Sequence, residues 1–357
     1  MGRAMPCVPH TDHSSRERIG AMKTRLVLGR IIRGLLIIFA LLGTHHLLRV
    51  IFASPSLNDL YPIWLGSREL LVHHRNPYSR EVNTQIQAAF YGTPLPPGDY
   101  EDKECCFAYP VYVSFLLAPG VASSFPKVSL VVLWLLAAAT AVSGAGWWAV
   151  TGHDAASLGL VIPLVLVSPP VAQGLDLHQL TLFVAALLSI TAVLVRSNQL
   201  TLAGIVLACA TIKPQMSILP IAWMSLWTCN DWANRKKLVI GFVSTMALLL
   251  TAGEIVMPDW IPRFVAQLQY YRHVTGEGML DILYGRRIGL YLTFISTLGL
   301  LFLMWRRRAA SDFMPMLAFL LAAEVFIIPG LKSLLNLVLL MPLIFIVLRK
   351  YPACRGA

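Results

Sequence analysis

Asp59 stands in the longest polar stretch of an otherwise apolar chain, inside the run Asn58-Asp59-Leu60-Tyr61-Pro62-Ile63-Trp64. A carboxylate held at the mouth of an apolar cavity has its pKa moved upward, which suits it to accept a proton. The plain alternative is a solvated acid or a helix cap, a position that favours both Asp and Asn. Lys213 is a lone cation between two short apolar stretches, and Pro214 breaks the helix beside it. It can snorkel from a helix end or meet a phosphate as a point charge. His178 and Gln179 follow the Pro169-Pro170 break, with Gln173 and Asp176 nearby, just before an apolar segment. Free N–H groups at such a helix start favour anions. Asp176 reads as the cap of that helix. His178, a residue more often structural than ligating, is kept with Gln179 as a candidate contact. Arg272 and Arg287, in the polar stretch 258–287, are secondary candidates for a phosphate.

Metal chemistry is not expected. The six cysteines show neither CxxC nor Cys/His spacing, and the acids do not cluster closely enough in sequence to form a cage. The adjacent Cys105 and Cys106 read as two unpaired thiols. No cofactor is required.

These residues need a scaffold, and composition names its class. Of 357 residues, 57% are hydrophobic and 13% charged, about half the charged fraction of a soluble domain. Long apolar runs with few charges mark membrane helices, because lipid cannot satisfy an open backbone. The expectation is an all-α polytopic membrane protein in one integrated domain over 34–349. A basic N-terminal segment, 1–33, precedes it and a short tail, 350–357, follows. The net charge of +11 belongs with basic cytoplasmic loops and anionic lipid rather than with nucleic acid. The first apolar run, about 34–53, has Ile51 where a signal-peptide cleavage site needs a small residue, so it reads as an uncleaved helix.

Charge sets the sides. The N-terminus, Arg235-Lys236-Lys237, Arg306-Arg307-Arg308 and Arg349-Lys350 should all be cytoplasmic. Seven apolar runs precede Arg235, so one must fail to cross. The stretch 107–122, broken by Pro110 and Pro119, is read as re-entrant or interfacial. About ten crossings remain, with both termini cytoplasmic. The loop 54–106, the Gln173–Gln179 turn, Lys213-Pro214, the loop 258–287 and Lys332 then share the outer face. Polar groups at membrane depth mark function by default. Within 258–287, Phe264, Leu268 and Tyr271 recur at helical spacing, as in an amphipathic surface helix. Tyr61 and Trp64 suit an interfacial belt, and Tyr61 and Tyr109 are kept as candidate substrate or carrier-phosphate contacts.

The order of motifs resembles a known family. Asp59 with Tyr61, Asn76-Pro77-Tyr78, Tyr109-Pro110, a Gln-containing turn, Ala203-Gly204 through Ile212-Lys213-Pro214, and the run 336–342 occur in sequence. That order is similar to the GT-C membrane glycosyltransferases of the GT87 type, the group including polyprenyl-phosphomannose-dependent mannosyltransferases. The resemblance spans roughly 55–345 and implies a GT-C-like bundle of about 10–11 transmembrane helices. It also implies an inverting transfer from a polyprenyl-phosphate sugar, most simply mannose, to a glycan or glycolipid acceptor at the outer face of the cytoplasmic membrane. By the resemblance Asp59 is the base, and Tyr109, Gln179 and Lys213 match family positions. The chain departs from the pattern where the second proline after Tyr109 is Val111, where Gly-Gln is His178-Gln179, and where Asn is usual but Thr181 stands. The rival readings are a transporter or flippase of lipid-linked sugar, for which repeats would be expected, and a non-catalytic membrane scaffold.

Overall fold

The computed structural model describes residues 38, 41–45, 48–49, 57–93, 106–275, 278–310, 312–328, 330–331 and 333–350. The basic segment 1–33, most of the first apolar run, residues 94–105, Lys332 and the tail beyond 350 lie outside them, as do the side chains of Tyr271 and Arg272. The described chain is helical and contains no strand. It is an all-α polytopic membrane protein.

The polar stretch after residue 57 folds into α1 (Leu60–Leu71) and α2 (Arg80–Tyr91). Asn58 Oδ1 accepts the Leu60 N–H at 3.1 Å and starts α1. Ser79 caps α2 by accepting the Val82 N–H, and Gly92 closes it at φ 76°. Between them Asn76 Oδ1 accepts the Tyr78 N–H at 2.9 Å, an Asx turn. The Tyr78 hydroxyl then donates to the Tyr109 carbonyl at 2.7 Å. Phe107 lies on Gly66, where a Cβ would overlap its ring. These contacts strap 107–112 onto α1. The helix that follows, α3 (Val113–Leu117), has five residues. That is about 7.5 Å of helix, too short for a hydrocarbon core of ~30 Å.

The bundle proper begins with α4 (Phe125–Val150). Next come α5 (Leu158–Leu166) and α6 (Pro169–Asp176), bent by 57° at the break between them. α7 (Thr181–Arg196) and α8 (Leu200–Cys209) follow. Two 3-10 turns, Ala210–Ile212 and Pro214–Met216, lead to α9 (Ile218–Asn230) and α10 (Trp232–Val256). The rest is α11 (Trp260–Thr275), α12 (Met279–Tyr284), α13 (Arg286–Arg307) and α14 (Met314–Ile327). A 3-10 segment, Leu334–Leu340, then runs into α15 (Met341–Lys350).

Among the described residues α4, α10 and α13 are long and apolar enough to cross a bilayer, and α5 with α6 makes a bent fourth candidate. α7, α8 with its 3-10 extension, and α14 are shorter apolar helices. The apolar runs therefore do not all become straight spans. The run 333–349 becomes a 3-10 segment and a ten-residue helix. The Leu335 N–H goes to Gln173 Oε1 at 2.9 Å, a partner across the bundle that serves the tighter segment. α11 also differs from the sequence expectation. Its inward residues are Trp260, Phe264 and Gln267, while Leu268 is exposed. Trp260 covers Gly253 of α10 and meets Tyr112, which turns the helix by about one residue.

Small residues set the closest helix approaches. A Cβ on Gly204 of α8 would overlap the Leu238 carbonyl oxygen, and one on Gly241 of α10 would overlap the Thr201 carbonyl oxygen. Lipid gives no hydrophobic drive between helices, so such close packing supplies much of the association. Gly204→Leu should therefore force α8 from α10 and destabilise the fold by about 3 kcal/mol, the upper end of overpacking costs. SDS unfolding of the purified variant measures this, and an unchanged midpoint would refute it.

The two ends of the bundle differ in chemistry. Phe125, at the start of α4, meets Tyr61 edge-on at 5.0 Å. At the other end Arg349 Nη1 donates to the Thr151 carbonyl at 2.9 Å. A 26-residue helix separates these contacts by roughly 39 Å. α10 likewise carries Arg235, stacked on Trp227, in its first turn and Gly253, against Trp260, in its last. Arg235 and Arg349 thus lie at the opposite end from α1.

Candidate active site

Asp59 occupies the N-cap position of α1, but its carboxylate makes no cap hydrogen bond. Asn58 serves the Leu60 N–H instead, which leaves the acid for other partners. Asp59 Oδ2 accepts a hydrogen bond from Gln179 Nε2. Gln179 Oε1 accepts from Lys213 Nζ at 3.2 Å, and Lys213 donates also to Thr181 Oγ1 at 2.5 Å. One primary amide thus joins a carboxylate to an ammonium. Four residues from three separate parts of the chain form this group.

Each arm is positioned by local backbone. α6 ends in a Schellman arrangement: the Gln179 N–H bonds the Gly174 carbonyl at 2.8 Å, and His178 sits at φ 52°. That left-handed position usually takes glycine, and histidine tolerates it better than most residues. The turn sends Gln179 across to Asp59. Asp176 is the last residue of α6 and exposed; Leu180 holds the N-cap position of α7, so Asp176 does not cap that helix as expected. Lys213 projects from the junction of the two 3-10 turns, where Pro214 ends any continuous helix. It is 8% exposed, so its charge is held by partners rather than by water.

The electrostatics follow from that burial. Burial pushes the Asp59 carboxyl above the usual carboxylate range, against the Gln179 hydrogen bond and the Lys213 charge. Burial pulls Lys213 down, to about 8, against the charge of Asp59. Burial and then the neighbouring Asp59 charge push the Tyr109 phenol up, so that hydroxyl stays protonated. His178 is lowered mainly by burial. The Asn58 amide, oriented by the Leu60 N–H on its oxygen, donates from Nδ2 to His178 Nδ1 at 3.0 Å. A neutral His178 then carries its proton on Nε2. The Asp176 carbonyl, 3.1 Å from the same Nδ1, would be a partner only if that nitrogen carried the proton.

The remaining candidates are placed differently. Tyr61 lies in an aromatic cluster with Trp64, Phe90 and Phe125. Arg287 is exposed in the first turn of α13. The Arg272 side chain lies outside the described residues. No group of three or more His, Cys, Asp or Glu that could hold a metal ion occurs among the described residues.

Sequence reasoning passed over Glu324. It is fully buried in α14, with Oε1 on the Leu219 N–H at 3.0 Å and Oε2 without a partner. The available signal was a lone acid in the apolar run 314–327. The Tyr112 hydroxyl, which donates to the Thr211 carbonyl at 2.9 Å and fixes the approach to Lys213, had no comparable signal.

What this arrangement can do is hold a half-buried carboxylate beside a buried cation at the polar end of a membrane bundle. Neither a curated protein nor a solved structure matches the chain. A family model does, that of glycosyltransferase family 87, over residues 107–350. Those residues contain Gln179, Thr181 and Lys213, while Asn58 and Asp59 stand upstream of the match. The match covers more than half of the chain, which belongs to glycosyltransferase family 87 and is a membrane glycosyltransferase.

Proposed function

We propose that the chain is a GT-C-type hexosyltransferase that moves one sugar, mannose first, from a polyprenyl-phosphate carrier to a glycan or glycolipid acceptor. The acceptor O–H attacks the anomeric carbon as the carbon–oxygen bond to phosphate breaks. The proton goes to Asp59, the polyprenyl phosphate leaves with the bonding electrons, and the linkage inverts. Lys213, linked to Asp59 through Gln179, stabilises the charge that develops on the leaving phosphate. Arg272 and Arg287 are secondary phosphate contacts. Tyr109 and His178 border the substrate, and Tyr61 supports the wall beside Asp59. Apolar helix faces receive the isoprenoid tail. No metal or other cofactor is required by this reading.

The observation that carries the reading is the Asp59–Gln179–Lys213 linkage, which joins a half-buried carboxylate that caps no helix to a buried cation through one amide. The separation of Arg235 and Arg349 from α1 supports a site on the outer face of the cytoplasmic membrane with the C-terminus inside. The test is a panel of radiolabelled donors offered to the protein in nanodiscs with total membrane lipid as acceptor. One polyprenyl-phosphate sugar should yield labelled product, with the mannose compound the first expected. Product from nucleotide sugars alone would overturn the donor class.

A further inference from the structure

Glu324 is the most deeply buried of three acids, with Glu69 and Asp281, for which the proposed mechanism has no use. It has 0% exposure, and the contact it makes is specific. An α-helix start leaves its first N–H groups without partners. In α9 Pro220 has no N–H to offer, Ile221 bonds Ser217 at 2.8 Å, and Leu219 gives its N–H to Glu324 Oε1 at 3.0 Å. The cap of α9 thus comes from α14, 105 residues away in sequence. Immediately upstream, Ser217 N–H bonds the Pro214 carbonyl at 3.1 Å and Met216 N–H bonds the Lys213 carbonyl at 3.0 Å. Overlapping backbone hydrogen bonds therefore span the short stretch from Lys213 to Ile221, with the Glu324 contact at Leu219 inside it.

We propose that Glu324 is a positioning residue: by holding the Leu219 N–H it fixes the Pro214–Met216 turn and aims Lys213 at Gln179 and Thr181. The inference rests on the reading of Asp59 and Lys213 given above. Glu324 touches no reacting atom in this scheme. Its effect reaches Asp59 only through Lys213, whose charge opposes the rise in the Asp59 pKa. The titratable groups around Asp59 are Lys213 from the turn, Tyr109 from the strap, and His178 behind Asn58.

The experiment compares Glu324→Met, which has similar volume and no acceptor, with Glu324→Gln, which keeps the carbonyl oxygen. Amide hydrogen exchange over 214–221 should quicken at least tenfold in Glu324→Met and stay at the wild-type rate in Glu324→Gln. The acid limb of the pH–rate profile should move to higher pH in Glu324→Met and return in Glu324→Gln. Unchanged exchange overturns the proposal. Faster exchange with an unmoved acid limb also overturns it, leaving Glu324 as a helix cap and no more. Should Glu324→Met not fold, Glu324→Asp, one methylene short of the N–H, is carried through the same two measurements. A wild-type chain that transfers no sugar would sink the functional reading alone. The positioning role then stands or falls on SDS unfolding: Glu324→Met should cost less stability in a Lys213→Met background, and additive costs refute it.

Discussion

Asp59→Asn should abolish sugar transfer, with a loss of at least about 10³-fold in kcat, within the range for a positioned general base. The substitution is close to isosteric, and Asn Oδ1 can still accept the Gln179 Nε2–H, so packing and expression should persist. The step it removes is acceptance of the acceptor proton. KM for the donor should change little, because the donor phosphate is assigned to Lys213. The wild-type pH dependence gives a second reading of the same group. A base works when deprotonated, so activity falls as pH drops through the Asp59 pKa. That pKa is raised by burial, and the acid limb should stand above the usual carboxylate value of about 4. Asp59→Asn with undiminished transfer would remove the base from this residue. An acid limb below the ordinary carboxylate range would argue that Asp59 is not buried when the enzyme works.

Much of this site is legible in sequence because its members interrupt apolar runs. Lys213 is conspicuous as a lone cation followed by proline, and Gln179 as the end of a polar turn before an apolar helix. The parity of basic clusters puts Asp59, Gln179 and Lys213 on one face before any contact is known. Other features leave no such trace. Glu324 sits within a helix whose neighbours are apolar, and its partner is a backbone N–H distant in sequence. Tyr78 can be read as part of an Asn-Pro turn, yet its bond to the Tyr109 carbonyl exists only in the assembled fold. Hydropathy cannot tell 3-10 from α backbone, so the run 333–349 reads as one span until Gln173 is seen to serve the Leu335 N–H. α11 shows the same limit from another side. Trp260 packing on Gly253 fixes its rotation, and Gln267 turns inward in place of Leu268. The His178 position is an instructive middle case. The departure from Gly-Gln is visible in sequence, but the left-handed backbone at φ 52° explains why glycine suits that place.

Lys213→Met should reduce kcat by about 10²–10³-fold, the effect of losing one charge-stabilising donor in a dry site, while leaving the fold at least as stable. The two outcomes belong together. Burying an ammonium costs solvation that Thr181 and Gln179 return only in part, and removing one member of a buried pair is costly only where the charge left behind cannot be neutralised. Asp59 then loses its cationic neighbour and can remain neutral by taking a proton. The sign of the pH effect follows. Lys213 binds phosphate as an ammonium, so wild-type activity should fall as pH rises through about 8. In Lys213→Met that basic limb should vanish. The acid limb should move upward, because the Lys213 charge no longer holds the Asp59 pKa down against burial. The macroscopic limbs belong to the coupled pair, so both must be followed in one titration. Lys213→Arg is not a conservative rescue: a planar fork does not fit between Thr181 and Gln179 as a compact ammonium does. Its kcat should stay at least tenfold below wild type, with the basic limb displaced beyond pH 10 because guanidinium keeps its charge. A Lys213→Met enzyme with wild-type kcat and an intact basic limb would take the phosphate contact away from Lys213. Loss of folding in that variant would instead show the ammonium to be a structural strut of the Asp59–Gln179 group.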